Sequence, residues 1–266
     1  MKKPGVVSLL IALLASACAV VPLTGRKQLI LMPQSTMLSM SVQEYGNFLK
    51  QHPPSTDPTK TAMVKRVGGN IHRAVDQFFV AKGMSGKLAG YRWEFNLVDD
   101  KAVNAWCMPG GKVVVYTGLL AAAKDDTGLA VVLGHEIAHA VVDHGNERMS
   151  QGLLAQFGGI ALDTALREKP DQTRALWNAA YVVGAQYGAL LPYSRVQENE
   201  ADHLGLIFMA MAGYDPREAP LFWKRMSQVG GQKPPEFMST HPSDETRIRK
   251  INETIPEAMT YYKKPS

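Results

Sequence analysis

The sequence predicts an α+β protein that is mostly helical, with one small antiparallel sheet. Three observations support this class. Apolar residues recur at helical spacing over most of the 266 residues, three short stretches between residues 91 and 116 have strand character, and an apolar helix follows them directly. That helix carries a His-Glu-x-x-His motif at residues 135–139. With 45% hydrophobic and 20% charged residues, the chain has the composition of a globular protein with one sizeable core.

The N-terminus has the pattern of an export signal. Met1-Lys2-Lys3 is a positive segment, Val6 to Leu14 is an apolar run too short to remain as a spanning helix, and small residues precede Cys18. Residues 1–17 are therefore predicted to be a signal peptide of the lipoprotein type, with Cys18 as the lipid-modified residue. Leu14 lies four residues before the cysteine rather than the favoured three, so a plain secretory signal cut nearby is the alternative.

Both interpretations export the mature chain. Ala19, rather than an aspartate, follows Cys18, which favours a lipid-anchored protein on the periplasmic face of the outer membrane over one kept at the inner membrane. Without the lipid, a soluble periplasmic protein is expected. Residues 18–33 contain the breakers Pro22 and Gly25 and are predicted to form a tether, and residues 34–266 a single domain.

Two amphipathic helices are predicted after the tether. Ser35 is a good N-cap for a helix that runs to about Gln51, where a proline-rich stretch interrupts the pattern. From Thr59 to Ala81, apolar residues return every three or four positions, which is typical of a helix with one buried face.

Three strands are predicted next, in one antiparallel sheet. The first two cover residues 91–98 and 102–106, and the third, Lys112 to Tyr116, follows the turn at Pro109-Gly110-Gly111. An exposed edge of such a sheet can bind an extended peptide through its main chain. For Val113 to Tyr116, this role and that of a plain supporting strand are both open.

The His-Glu-x-x-His motif lies in a helix predicted from about Thr127 to Arg148. His135 and His139 are four residues apart, so their side chains project from one face, one turn from each other, and can bind the same metal ion. The flanking residues are apolar, so both imidazoles are expected to be buried and to need partners. Glu136 is placed to act on a water molecule beside the metal, as a zinc hydrolase requires.

Two further apolar helices are predicted at residues 151–166 and 171–191, separated by Lys169-Pro170. Asn178 and Gln186 interrupt the second helix, which is also shorter than a membrane span. A packed helical hairpin at about residues 151–191 is therefore favoured over membrane insertion.

The third metal ligand is predicted to be Glu198. Glu198 and Asp202 are four residues apart and share a helix face, so Glu198 can bind the metal while Asp202 accepts a hydrogen bond from an imidazole. Arg195 is expected to pair with Asp202 or with a substrate carbonyl, and the salt bridge with Asp202 is favoured. Carboxylates at a solvated helix start are the alternative interpretation for these acids.

These residues together identify a family. The motif at residues 135–139 and the segment Ser194 to Asp202, with the strand-turn-strand stretch at residues 104–120, resemble the HtpX-like and CAAX-prenyl-protease-like zinc metallopeptidases, which are gluzincins. Within the family, the chain resembles the soluble, export-targeted branch that includes the BepA and LoiP lipoproteins of bacterial envelopes. The resemblance spans about residues 29–252 and implies a metallopeptidase domain that binds one Zn²⁺ per chain.

His241 lies in Thr-His-Pro-Ser, which resembles the family's C-terminal motif. The resemblance implies that His241 can occupy the open position of the zinc as a fourth ligand and keep the enzyme latent. From the residues alone, the same segment is a loop ahead of an N-capped helix, and the two interpretations remain open.

The expected function is that of a zinc endopeptidase of the bacterial envelope, with Glu136 as the catalytic residue. The resemblance implies unfolded or misassembled envelope proteins as substrates. One alternative is a chaperone or assembly factor with a mainly structural zinc, and another is a membrane-surface protein that uses the apolar hairpin. The formal net charge of +5 is not concentrated in a basic stripe, so nucleic acid is not an expected partner.

Overall fold

The computed structural model describes residues 18–186, 190–229, 236–241 and 245–262. The predicted signal peptide at residues 1–17 and the side chain of Cys18 lie outside the described part. The strands are β1 Cys18–Val20, β2 Lys27–Leu29, β3 Glu94–Val98, β4 Ala105–Met108 and β5 Lys112–Tyr116. The helices are α1 Gln34–Gln51, α2 Pro58–Ala81, α3 Thr117–Ala123, α4 Asp126–Val141, α5 His144–Ala165, α6 Asp171–Ala185, α7 Leu191–Met211, α8 Glu218–Gln228, α9 Glu236–Thr240 and α10 Glu245–Met259, with a 3-10 turn at Ser85–Leu88. The predicted mostly helical α+β class is confirmed.

The chain forms two compact units. The first comprises residues 1–34 and 142–197, and the second comprises residues 35–141 and 198–266. Helix α7 begins in the first unit and continues into the second.

The second unit contains a three-stranded sheet with the order β3-β5-β4. β4 is antiparallel to β5, as the turn between them predicts, but β3 pairs with β5 in parallel. The prediction of a fully antiparallel sheet is therefore wrong. Residue patterns indicate which stretches are strands but not which neighbour each strand selects. The β4–β5 hairpin occupies one side of β5, and β3 takes the other.

This strand order also decides the question of the peptide-binding edge. β5 lies between two partners and all of its residues are buried, so Val113 to Tyr116 cannot present an edge to a substrate. β5 is the supporting strand of the sheet. Edge positions in this sheet belong to β3 and β4.

Helix α2 supplies much of the core of the second unit. It begins where predicted, with Asp57 as an N-cap that accepts a hydrogen bond from the Lys60 amide and Pro58 in the first turn. Its buried face includes Val64, Ile71 and Phe78, which are the apolar positions that the helical spacing selects.

Helix α4 ends at Val141, earlier than the predicted end near Arg148. Asp143 has a left-handed backbone with φ of 61°, a conformation that interrupts a helix and that aspartate tolerates better than most residues. A new helix, α5, starts at His144.

In the first unit, residues 18–29 form a strand pair rather than a plain tether. β1 and β2 are antiparallel, and Arg26 donates two hydrogen bonds to the carboxylate of Glu147 on α5. The amide of Leu31 donates to Ser150 Oγ, also on α5. The breakers that suggest a tether are thus the turn between two short strands.

Helices α5 and α6 contact each other and cover most of the region in which the apolar hairpin was predicted, and we refer to them below as the hairpin. Within the described ranges, the structure has no helix that is both long enough and apolar enough to cross a membrane.

Candidate metal centre

The histidine pair on α4 is buried in the second unit. His135 and His139 are 2% and 4% exposed, and their Nε2 atoms lie 3.1 Å apart. The chain achieves this by packing α4 against α7 at two glycines. A Cβ on Gly134 would lie 2.7 Å from the carbonyl oxygen of Gly205, so only glycine permits this backbone approach. The crossing lies one residue before His135.

Helix α7 brings Glu198 to the same point. Its Oε2 lies 3.3 Å from His135 Nε2, and its Oε1 lies 3.2 Å from His139 Nε2. Burial raises the pKa of Glu198, but the positive field and hydrogen bonds of the histidines outweigh burial and hold that pKa far below its usual range. The carboxylate is therefore ionised.

His241, which follows the short helix α9, completes the cluster. Its Nδ1 lies 2.9 Å from Glu198 Oε2 and 3.1 Å from His135 Nε2. The four residues each offer one donor atom, and these atoms all lie within 4.8 Å of one another. The structure thus brings together all four predicted ligands, His135, His139, Glu198 and His241.

When His135 is neutral, as a metal ligand must be, hydrogen bonds alone do not account for this crowding. A neutral imidazole carries one proton, and Asp202 accepts a hydrogen bond at His135 Nδ1 over 2.9 Å. His135 Nε2 then has a lone pair and no proton. It nevertheless lies 3.1–3.3 Å from the three other atoms that could bind the metal, one each from His139, Glu198 and His241. A cation between them satisfies every lone pair.

The donor set fits zinc in type and in spacing. Imidazole nitrogens and a carboxylate are among the ligands that zinc takes in proteins. Tetrahedral zinc with bonds of about 2.0–2.1 Å separates its ligand atoms by about 3.3 Å. The direct contacts among the three imidazoles and the two Glu198 oxygens are 2.9–3.3 Å, close to that separation, and the four donor atoms all lie within 4.8 Å of one another.

Glu136 lies beside the cluster rather than in it. It is 4% exposed, and its Oε1 has no hydrogen-bond partner within the described part of the chain. The nearest basic atom is His241 Nε2, at 3.4 Å. A buried carboxylate oxygen without a partner is costly to maintain and is therefore available to accept a proton from a small ligand at the centre.

Asp202 fixes the position of the His135 ring through the ring nitrogen that faces away from the cluster, Nδ1. Burial lowers the pKa of His135, but hydrogen bonds with Asp202 and Glu198 outweigh burial and raise the pKa to about 9 in the metal-free protein. Asp202 itself is buried, and Arg247 and His135 keep its pKa low despite that burial. The hydrogen bond fixes the His135 tautomer with Nε2 free for the metal, as the sequence predicts for Asp202.

The arginine that pairs with Asp202 is Arg247, and the prediction of Arg195 is wrong. Arg247, on α10, donates from Nε and Nη2 to the two Asp202 oxygens, both over 2.8 Å. Arg195 is exposed. It lies seven residues before Asp202, about 10 Å along the same helix, whereas Arg247 approaches from another helix.

Arg247 also connects Asp202 to His241. Its Nη1 donates to the carbonyl oxygen of His241 over 3.1 Å, and its guanidinium carbon lies 3.4 Å from the ring centroid of Trp223. Sequence reasoning missed this residue because Arg247-Ile248-Arg249-Lys250 has the composition of a solvated basic helix face. The only local signal was a helix starting a few residues after His241.

Comparison with known proteins places these residues in a family. A sequence profile of Peptidase family M48 matches residues 66–255, more than half of the chain and a range that contains every donor described above.

Individual relatives match over different parts of the chain. Mitochondrial metalloendopeptidase OMA1 of Schizosaccharomyces pombe is 37% identical over 220 residues, which is 82% of this chain and 58% of that protein. OMA1 of Homo sapiens is 32% identical over 246 residues, 90% of this chain and 46% of its own length. The beta-barrel assembly-enhancing protease of Yersinia pestis is 30% identical over 161 residues, 59% of this chain and 33% of its own. The chain thus spans about half the length of the relatives it matches.

The profile match and the buried cluster agree on the metal, because M48 peptidases use zinc and His135, His139, Glu198 and His241 offer it a suitable set of donor atoms. The resemblance seen in the sequence is confirmed at the level of Peptidase family M48, while the HtpX-like and CAAX-prenyl-protease-like branch stays a prediction. The chain therefore belongs to Peptidase family M48, a family of zinc metallopeptidases.

Proposed function

We propose that this chain is a zinc-dependent endopeptidase in which Glu136 moves the proton. The observation that carries the proposal is the buried Glu136 oxygen without a hydrogen-bond partner, next to a four-residue donor cluster that fits zinc. A structural metal site has no need for a buried carboxylate oxygen beside it that accepts no hydrogen bond.

The residues divide the chemistry between them. Zinc supplies Lewis-acid polarisation of a peptide carbonyl and lowers the pKa of water. Glu136 Oε1 accepts the proton of the attacking water and delivers it to the leaving amide nitrogen. Asp202 keeps the proton of His135 at Nδ1 throughout, so that Nε2 never competes for it.

His241 is proposed to hold the centre in a latent form. With His241 in place, His135, His139, Glu198 and His241 would together hold the metal and would leave it no open position for a substrate carbonyl. Since His241 also lies 3.4 Å from Glu136 Oε1, it occupies the space where the reacting water belongs. Activity then requires His241 to withdraw.

The edge of β4 is proposed to bind the substrate main chain. The Tyr116 amide donates to Asn104 O over 3.1 Å, so Asn104 faces β5, and by alternation Cys107 directs its main-chain groups away from β5. Val103 O, on the same side, accepts from the Phe237 amide of α9, the helix that leads to His241. A peptide added along this edge would reach the metal centre.

The cellular setting proposed is the bacterial envelope. Support comes from the signal-like pattern at residues 1–18 and from bacterial relatives named as beta-barrel assembly-enhancing proteases. Unfolded or misassembled envelope proteins are the proposed substrates, and a lipid on Cys18 the proposed outer-membrane anchor. The mitochondrial relatives cover more of the chain, so this branch assignment depends on the N-terminal pattern.

A second function is favoured by one observation, the presence of four protein donors rather than three. Closed four-ligand sites are typical of structural zinc. In that case the chain would act as a chaperone or assembly factor, and His241 would be a permanent ligand.

The test compares casein hydrolysis by the full chain, loaded with one zinc, in wild type, Glu136→Gln and His241→Ala. His203→Ala is the matched control, since His203 is a partly exposed histidine that pairs with Glu257. We expect weak activity in wild type and His203→Ala, higher activity in His241→Ala, and loss of at least about 100-fold in Glu136→Gln with zinc retained. If no variant cleaves although each holds zinc, the chaperone function replaces the peptidase.

A further inference from the structure

The hairpin of α5 and α6 exposes large apolar side chains on its outer surface. On α5, Phe157 is 62% exposed and Ile160 57%, while on α6 Leu176 is 69%, Trp177 56% and Val183 57% exposed. Large contiguous apolar surfaces are rare on soluble proteins unless something covers them. We call the residues Leu154, Phe157, Ile160, Leu176, Trp177, Val182 and Val183 the apolar face.

Polar contacts join the two helices of the hairpin. Arg174 donates two hydrogen bonds to Asp163, both over 2.6 Å, and Tyr181 donates to the carbonyl oxygen of Ala155 over 2.9 Å. A Cβ on Gly158 would lie 2.1 Å from the Tyr181 hydroxyl, so the absence of a side chain at Gly158 makes room for this contact. These bonds fix the two helices to each other and turn the apolar face outwards.

Charge is distributed unevenly along the hairpin. Residues 152–162 and 175–185 contain no Asp, Glu, Lys or Arg. The tip, residues 163–174, contains three acidic and three basic residues. The apolar stretch of α6 is about 16 Å long, roughly half the thickness of a bilayer's hydrocarbon core.

The N-terminal segment belongs to the same compact unit as the hairpin. β1 starts at Cys18, directly after residues 1–17 with their apolar run, and pairs with β2. β2 packs on α5, and the Arg26–Glu147 ion pair holds the connecting turn to the start of that helix. If the N-terminal pattern attaches the chain to a membrane, as the sequence predicts, the described segment that follows it, residues 18–34, lies in the same unit as the apolar face.

We propose that the apolar face lies in the boundary between headgroups and acyl chains of a phospholipid bilayer, as a second contact beside the N-terminal one. The hairpin lies flat rather than entering tip first, because insertion would bury the charged tip in hydrocarbon. Since the tip charges balance, binding depends on apolar burial and not on anionic lipid.

The test uses Trp177 as a reporter of depth. Full chain is mixed with phosphatidylcholine vesicles containing lipids brominated on the acyl chain, and tryptophan quenching is compared in wild type and Trp177→Phe. We expect strong quenching in wild type and loss of most of it in Trp177→Phe, at both low and high salt. The N-terminal segment delivers both proteins equally, so the difference reports the hairpin alone. Equal quenching in the two proteins overturns the proposal.

A matched pair of triple variants separates the apolar face from general hydrophobicity. Phe157→Gln, Ile160→Gln and Val183→Gln together should abolish Trp177 quenching. The control replaces Val42, Val80 and Leu221, which are 58%, 64% and 55% exposed in the second unit, with Gln and should leave quenching unchanged. Equal effects of the two triples contradict the proposal.

Two other binding partners of the apolar face would each give a distinct experimental result. If the apolar face joins two copies of the chain, light scattering without lipid will show a dimer that the hairpin triple variant dissociates, with no quenching by lipid. If it binds polypeptide, unfolded casein will shift Trp177 emission while vesicles will not. Each result overturns the bilayer assignment.

Discussion

Helices α4 and α6 are nearly equal in length, 16 and 15 residues, and both are largely apolar, but their surroundings are opposite. Every residue of α4 from Gly128 to Val141 is buried, including two histidines and a glutamate. None of the residues of α6, all of which the structure describes, is buried. One helix places polar groups in an apolar interior, and the other places apolar groups on the surface.

This difference teaches that function is indicated by groups whose surroundings do not match their polarity. In α4 the buried atoms that need a partner are polar. A bound metal ion would account for the imidazole nitrogens, and the proposed proton transfer would account for the Glu136 oxygen. In α6 the exposed side chains are apolar, and the proposed contact with a bilayer would account for them. Composition alone does not distinguish the two cases, because both helices have similar apolar content.

The largest expected loss of stability comes from removing the arginine behind the metal centre. Arg247→Leu leaves the buried Asp202 carboxylate without its guanidinium and should reduce the free energy of unfolding by about 3–5 kcal/mol. Urea unfolding of metal-free protein measures it. Arg195→Leu is the control and should change little, since Arg195 is exposed. Equal losses in both would show that Arg247 is not the partner that matters.

Shortening a buried apolar side chain of α4 should lower the free energy of unfolding by slightly less than the loss of Arg247 does. Leu133 is fully buried, so Leu133→Ala creates a cavity and should lower the free energy of unfolding by about 3 kcal/mol. A loss below about 1 kcal/mol would mean that the interior around α4 relaxes to fill the space.

The glycine crossing should be sensitive to one added methyl group. A Cβ on Gly205 would lie 2.9 Å from the carbonyl carbon of Gly134 on α4. Gly205→Ala should therefore separate α4 from α7 and cost about 1–3 kcal/mol. It should also weaken zinc binding, measured by competition with a chromophoric chelator, because His135 and Glu198 come from the two helices. Gly152→Ala, where a Cβ meets nothing within 4 Å, is the control.

The smallest effect is expected on α6. Leu176 is 69% exposed, so Leu176→Ala should change the free energy of unfolding by less than about 0.5 kcal/mol in the absence of lipid. Thermal unfolding measures this. A loss as large as that of Leu133→Ala would show that α6 is covered in solution and would remove the contrast between the helices.

Local patterns predicted most of the elements. Helix α2 and the two helices of the apolar hairpin follow from periodicity, and β5 from its β-branched run, because these signals depend on residues a few positions apart. The spacing of His135, Glu136 and His139 likewise sets their geometry within one turn. Even the end of α4 had a local cause, at Asp143, although periodicity continued past it.

Contacts between distant residues were not accessible in this way. The parallel pairing of β3 with β5, and the selection of Arg247 instead of Arg195, depend on which elements approach each other in space. Both alternatives satisfy the local pattern equally well, so only packing separates them.

The sequence by itself determined the chemistry of this protein: the donor types, the histidine spacing and the glutamate that accompanies them. The tertiary structure decided how those groups are used, by bringing His241 into contact with Glu198, placing Arg247 behind Asp202 and leaving α6 uncovered. The physical reason is that helix geometry fixes neighbours within a turn, whereas a buried charge or an exposed apolar face is defined by what the rest of the chain packs against it.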